Sequence, residues 1–250
     1  MNRNLKKFNG KVVIISGASS GIGKALAFEF ADNGALVVLA ARRENELNKI
    51  EAEIKKCEGE AYSVKVDVKK VEDCKDLVDK TIEKYGKIDV LINNAGISMR
   101  ANFEDLDLCV IKELMDTNFY GAVYCTKYAL PYLLEQKGTL IAISSISGLT
   151  PLPGRTGYCA SKYAMDCFFN TLRLENIKKG LNVLVVHPGF TSSNIRKTAL
   201  NKLGLPQVET PRDEDKMMSS KEVARIIVKA TLNRKRDLIL TQQGKLTVWL

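Results

Sequence analysis

The sequence predicts a single α/β domain built on a doubly wound parallel sheet of about seven strands with helices on both faces. Three observations predict it. Short, fully apolar runs recur along the chain, as at 12–15 and 183–186, and such runs suit strands buried on both faces. Most are followed by a segment in which apolar residues repeat at helical spacing. Glycine, proline or asparagine residues punctuate the junctions. Alternation of this kind builds a parallel sheet covered on both sides. With 250 residues the chain is long enough to bury a substantial core. No linker, repeat or low-complexity stretch interrupts it, so residues 1–250 are expected to form one domain.

Each element has its own local reason. The β-branched run 12–15 leads into a glycine-rich turn, and helical spacing covers 25–33. A second strand at 36–39 precedes a charged helix over 44–57. Residues 62–66 read as the third strand, and 71–85 as a helix stopped by Gly86, where a residue without Cβ suits a left-handed C-terminus. The fourth strand is 88–92. One long helical pattern spans 108–134, with Pro131 in its last turn, where a missing N–H is expected to bend or weaken it. A fifth strand at 140–143, a helix over 156–179 ended by Gly180, and a sixth strand at 183–186 follow. Residues 188–220 are too irregular for a regular element and have the length of a lid. A helix at 221–232 and a strand at 238–240 complete the pattern.

Bulk properties narrow the function classes. Hydrophobic residues make up 45% and charged residues 27%, as in ordinary soluble globular proteins. No apolar run has the length of a membrane span, and the charged N-terminus is not followed by an apolar core, so no secretory signal is expected. The six cysteines (Cys57, Cys74, Cys109, Cys125, Cys159, Cys167) form no CxxC pair, and there is a single histidine, His187. No metal site is expected, and the thiols read as reduced in a cytoplasmic protein. The net charge of +9 is dispersed in pairs such as Lys55 and Lys56, with its tightest cluster at Arg234, Lys235 and Arg236. Dispersed pairs read as solvated helix faces, so no nucleic-acid partner is expected and membrane contact has no positive support. The apolar end at 246–250, with Trp249, invites packing or a partner contact.

Chemistry concentrates at the strand ends. The first strand runs into Ser16-Gly17-Ala18-Ser19-Ser20-Gly21-Ile22-Gly23. Glycines there let the backbone turn tightly and approach a ligand, and the following helix offers unpaired N–H groups to a pyrophosphate. The end of the second strand sorts the cofactor. An NAD site places an acid there to take the ribose 2′-hydroxyl, whereas this chain has Ala40-Ala41-Arg42-Arg43. Guanidinium suits a 2′-phosphate by charge and fork geometry. NADP(H) is therefore expected, with Arg42 the first candidate and Arg43 the second; Glu44 keeps NAD(H) as the less favoured reading. Further on, Tyr158 and Lys162 stand four residues apart, on one face if the segment is helical. A nearby cation favours the phenolate and brings a tyrosine closer to working pH.

The glycine turn, Asn93-Asn94-Ala95-Gly96, Ser144-Ser145, Tyr158-x3-Lys162 and Pro188-Gly189 occur in one order, each after an expected strand. In this the chain resembles the short-chain dehydrogenase/reductase family, over about 11–240, which implies a Rossmann-type domain. The resemblance implies roles position by position. Tyr158 would be the general acid, Lys162 would lower its pKa and bind the nicotinamide ribose, Ser145 would hold the substrate oxygen, and Asn118 would support a proton relay. It implies cofactor contacts from Gly17, Ser19, Ser20, Gly21, Ile22 and Gly23. Asp67 and Val68 would lie at the adenine, Asn94, Ala95 and Gly96 by the adenosine ribose, and Pro188, Gly189 and Thr191 at the nicotinamide. Ser20 departs from the basic residue that many NADP-type members carry, leaving the preference to Arg42 and Arg43.

These roles agree with the physical reading. Hydride arriving at a carbonyl carbon leaves charge on oxygen, which positioned O–H donors stabilise. The sequence thus predicts an NADP(H)-linked reductase, or equivalently an alcohol dehydrogenase, acting on a lipophilic ketone or hydroxy-lipid. Its selectivity would rest on Met99, Phe103, 149–155 and 190–218. The competing reading is a catalytically silent nucleotide- or RNA-binding relative, which has no need of Ser145, Tyr158 and Lys162. An epimerase or dehydratase on the same fold would usually carry a larger C-terminal substrate domain. A homo-tetramer or homo-dimer through the two long helices is expected. His187 reads as a cofactor-loop or buried structural residue, and Cys159 as packing.

Overall fold

The computed structural model describes residues 6–192, 195–207 and 217–241. The apolar end at 246–250 lies outside the described residues.

Seven parallel strands form the central sheet. They are β1 (Val12–Ser16), β2 (Leu36–Ala41), β3 (Glu60–Lys65), β4 (Val90–Asn93), β5 (Thr139–Ile143), β6 (Asn182–His187) and β9 (Asp237–Ile239), in the order β3-β2-β1-β4-β5-β6-β9. Register follows the apolar runs: Val13 of β1 pairs with Val37 of β2 on one side and Val90 of β4 on the other. Every residue of β1, β4, β5 and β6 is buried, as two-sided coverage demands. The chain winds outward in one direction to β3 and then returns past β1 to β4. Ligands bind at such a reversal, outside the carboxyl ends of the strands.

Two hydrophobic layers sandwich the sheet. On one face α1 (Gly21–Asp32), α2 (Glu44–Lys56) and α7 (Ser220–Leu232) bury Leu26, Phe30, Leu47, Ile50, Val223 and Ile227. On the other, α3 (Val71–Tyr85), α5 (Gly121–Glu135) and α6 (Thr156–Asn176) bury Leu77, Val78, Ala129, Leu133, Met165 and Phe169. Phe30 and Phe169 are fully inaccessible, and each such side chain contributes ~1.5–3 kcal/mol by leaving water. No helix among the described residues is long and apolar enough to cross a membrane.

Three differences from the sequence reading bear on the site. Helix α1 begins at Gly21, within the glycine turn, where tertiary packing overrides the poor helix propensity of glycine. The helix expected over 108–134 is not one α-helix. It is α4 (Leu108–Leu114), a π-helical turn at Met115–Tyr120, and α5, which runs through Pro131 to Glu135. The turn holds Asn118, and a π-turn inserted between α-helical segments is a frequent mark of a functional position. Finally, the irregular 188–220 stretch contains two minimal strands, β7 (Thr191–Ser192) and β8 (Met218–Ser219), which pair in parallel. Leu200 also bridges to Met99 and Pro206.

Candidate active site

The strand ends at the β1/β4 reversal open into a cleft of about 720 Å³. The glycine turn forms its floor. Gly17 has φ +66, and a Cβ there would lie 2.8 Å from the Ala95 Cα; on Gly23 it would lie 2.3 Å from the Gly17 carbonyl oxygen. Neither site tolerates a side chain. Asn94 locks the turn to β4 by donating through Nδ2 to the Ser16 and Gly17 carbonyls at 2.9 and 3.2 Å. The Ser16 hydroxyl in turn accepts from the Asn94 and Ala95 N–H groups. Ser20 precedes α1 without capping it through its side chain, so the first helical N–H groups face the cleft without a side-chain acceptor. Bare backbone donors, a dipole end and no Cβ in the way fit a pyrophosphate.

At the end of β2, Arg43 rather than Arg42 reaches the turn. Its guanidinium donates to Ser19 Oγ and Ser20 Oγ, both at 2.9 Å. Arg42 lines the same cleft and is exposed. Asp67 and Val68 after β3 and Ala95, Gly96, Pro188, Gly189 and Thr191 also line it. The Asp67 carboxylate accepts from the Lys69 N–H at 3.2 Å, and the Thr191 hydroxyl donates to the Gly189 carbonyl at 3.2 Å.

The catalytic candidates meet on the far side of the cleft. Ser145, at the end of β5, caps the short 3-10 turn Ile146–Gly148 by accepting from the Ser147 N–H at 3.1 Å. Tyr158 and Lys162 lie one turn apart on α6. Lys162 is only 3% exposed; its ammonium donates to the Ile143 carbonyl at 2.8 Å and stands 5.9 Å from the Tyr158 ring centroid. Fully buried Asn118 crosses from the π-turn. It accepts from the Ile97 N–H at 2.8 Å and donates to the Ile97 carbonyl at 3.0 Å and Ser161 Oγ at 2.9 Å. Asn118 thereby ties the loop after β4 to α6, and Gly96 in that loop lets Asn118 approach: a Cβ there would lie 3.3 Å from the Asn118 Oδ1.

Burial acts on both ionisable groups of the site. It pushes the Tyr158 phenol up; the hydrogen bond with Ser145 and the Arg155 guanidinium pull it back down. Burial holds the Lys162 ammonium down at about 8, against the pull of Asp166. Arg155, three residues before Tyr158, is one nearby cation that favours the phenolate.

Two of the selectivity candidates lie elsewhere. Met99 is buried in a cluster with Leu106, Val110 and Leu114, and Phe103 is solvent-exposed. Leu152, Arg155, Phe190, Ile195 and Leu200 do line the cleft. His187 is neither catalytic nor cofactor-facing: its Nε2 lies 3.0 Å from the Asp166 carboxylate, and both are buried. Asp166 was invisible as a site residue, although its place four residues after Lys162 was a signal. Ser98 was also missed; it bonds Arg155 at 2.6 Å across 57 residues of sequence.

Comparison with known proteins agrees with this geometry. Residues 11–203 match the short chain dehydrogenase family. An 11-beta-hydroxysteroid dehydrogenase A of Sesamum indicum is 36% identical over 247 residues, covering 96% of this chain and 71% of that protein. An 11-beta-hydroxysteroid dehydrogenase 1A of Arabidopsis thaliana is 43% identical over 189 residues, covering 74% of this chain and 54% of that one. Among solved structures, a short chain dehydrogenase/reductase from Burkholderia phymatum in complex with NAD superposes with a TM-score of 0.89 at 23% identity, covering 98% and 93% of the two chains. An alcohol dehydrogenase from Thermococcus sibiricus complexed with 5-hydroxy-NADP superposes at 0.80 with 26% identity, covering 92% and 95%.

Proposed function

The chain belongs to the short chain dehydrogenase family, and from that premise we propose that it is an NADP(H)-linked oxidoreductase that interconverts a carbonyl and an alcohol on a lipophilic substrate. The observation that carries this reading is the convergence of Ser145, Tyr158 and Lys162 on one cleft with the glycine turn.

The residues divide the work. Gly17, Gly21, Ile22 and the first turn of α1 would hold the pyrophosphate, and Asn94 keeps that turn shaped. The bound nicotinamide supplies or accepts the hydride. Tyr158 gives its phenolic proton to the substrate oxygen in reduction and takes it back in oxidation. Ser145 donates a second hydrogen bond to that oxygen, so developing charge meets two prepositioned donors. Lys162, on the same helix face, orients the ribose and refills the proton on Tyr158 through the buried polar path that Asn118 anchors.

Support for NADP(H) comes from Arg43 seated on Ser19 and Ser20, with Arg42 beside it and Ala41 where an NAD site places an acid. Apolar walls at Leu152, Phe190, Ile195 and Leu200 favour a lipophilic body on the substrate, in keeping with relatives named for hydroxysteroids. Exposed Tyr163 and Leu174 on α6 and Tyr120 beside α5 favour a homo-dimer or homo-tetramer.

The test compares kcat/KM for NADPH and NADH in carbonyl reduction, in the wild type and in Arg43→Ala. NADPH preference is expected, reduced about tenfold or more in the variant, since charge-assisted hydrogen bonds to a phosphate are the strong ones. Preference for NADH would overturn the cofactor assignment.

A further inference from the structure

The substrate end of the cleft carries a cation whose N–H donors have no assigned contact with substrate or cofactor in the proposed chemistry. Arg155 immediately precedes α6 and lines the cleft. Its Nη1 donates to Ser98 Oγ at 2.6 Å. A guanidinium has five N–H donors, and among the described residues Arg155 makes no other hydrogen bond and no ion pair. Its surroundings make this costly. It is partly buried, it faces the apolar side chains of Leu152, Phe190, Ile195 and Leu200 across the cleft, and Arg100 and Arg196 add like charge nearby. Those two arginines are engaged, Arg100 with the Gln207 side-chain oxygen and Arg196 with the Thr191 carbonyl at 2.7 Å. Arg155 keeps an open fork toward the cleft, three residues from the general acid. A guanidinium partly withdrawn from water gains from an anionic partner, and among the described residues Arg155 bonds no carboxylate.

We propose that the substrate supplies it: the carbonyl compound is amphipathic and carries a carboxylate that pairs with Arg155 while its hydrocarbon body lies along Leu152, Phe190, Ile195 and Leu200. The proposal deepens the oxidoreductase reading above and rests on it for the position of the reacting carbonyl. A single fork favours a singly charged carboxylate over a phosphate monoester, which brings close to two charges.

The experiment uses linear oxo-fatty acids of graded carbonyl position, each paired with its methyl ester, in NADPH-linked reduction. The wild type is expected to favour the acid about tenfold or more in kcat/KM at the best carbonyl position, and the ratio to fall as salt rises. In Arg155→Met the acid/ester ratio should drop to within about twofold of one, while Arg155→Lys, a charge without the fork, should fall between. Esters reduced as well as acids at every position, or a ratio that survives in Arg155→Met, would overturn the inference and leave the reductase reading standing. Reduction of neither member of any pair would count against the reductase reading instead. The inference is then judged by calorimetry with the saturated fatty carboxylate in the presence of NADP+. Binding at least tenfold weaker in Arg155→Met is expected, and equal binding would overturn it.

Discussion

Asn118 offers a direct way to perturb the scaffold of the site. Replacing it with alanine removes three hydrogen bonds at once, two to the Ile97 backbone and one to Ser161. Asn118 is fully buried, and its two bonds to Ile97 are partly buried at the edge of the cleft, so water replaces them only in part. Ser161 keeps its bond to the Tyr158 carbonyl at 2.8 Å, which leaves the Ile97 N–H and C=O as the stranded groups. A buried polar group left unsatisfied costs ~1–3 kcal/mol, so two give about 2–6 kcal/mol for Asn118→Ala. For a domain of this size that is a fall in Tm of roughly 4–24 °C. The loop carrying Gly96 and Ile97 also loses its tie to α6, next to Lys162, so kcat should fall as well. Differential scanning calorimetry of the two proteins, together with steady-state kinetics well below the lower Tm, measures both effects. A Tm within about 2 °C of the wild type, with kcat unchanged, would refute the claim that Asn118 holds the two elements together.

Further outcomes follow from buried ionisable groups. Folding depresses the Lys162 pKa from 10.5 to about 8, so between those values the unfolded chain binds more protons, and this group's contribution to stability rises with pH across that window. Urea melts at pH 8 and pH 10 should show that gain in the wild type and lose it in Lys162→Met; an identical gain in both would contradict the depressed pKa. The His187 and Asp166 pair is also testable. His187→Leu leaves the buried Asp166 side chain without its partner and should cost ~1–3 kcal/mol. Adding Asp166→Leu should restore part of it, and strict additivity of the two substitutions in a double-mutant cycle would show the pair to be uncoupled.

The sheet was legible because its strands are short and centred on apolar runs, as in Val12–Ser16 and Asn182–His187. Most of the cleft residues were legible for the same reason: each follows a strand end that the pattern already placed. The π-turn was not, because its six residues differ from the flanking helices in backbone hydrogen bonding and not in a sequence signal. Arg42 and Arg43 are recognisable as a basic pair, but the sequence ranks Arg42 first whereas Arg43 is the one that reaches the turn, since the serines that receive it lie on another loop. In sequence Arg155 is an ordinary residue just before a helix and Asp166 an ordinary residue within it. What sets them apart is the distant chain folded against them, Ser98 in one case and His187 in the other.

Tyr158 is where the account is most exposed, and Tyr158→Phe tests it with least disturbance, because the ring and its packing remain while the proton is lost. NADPH oxidation is followed by absorbance against a panel of lipophilic ketones and oxo acids, with cofactor binding measured separately. The account predicts that cofactor affinity stays within a few-fold while kcat falls by about 10²–10⁴, the contribution of a positioned proton donor. Turnover surviving near the wild-type rate with any substrate would contradict it.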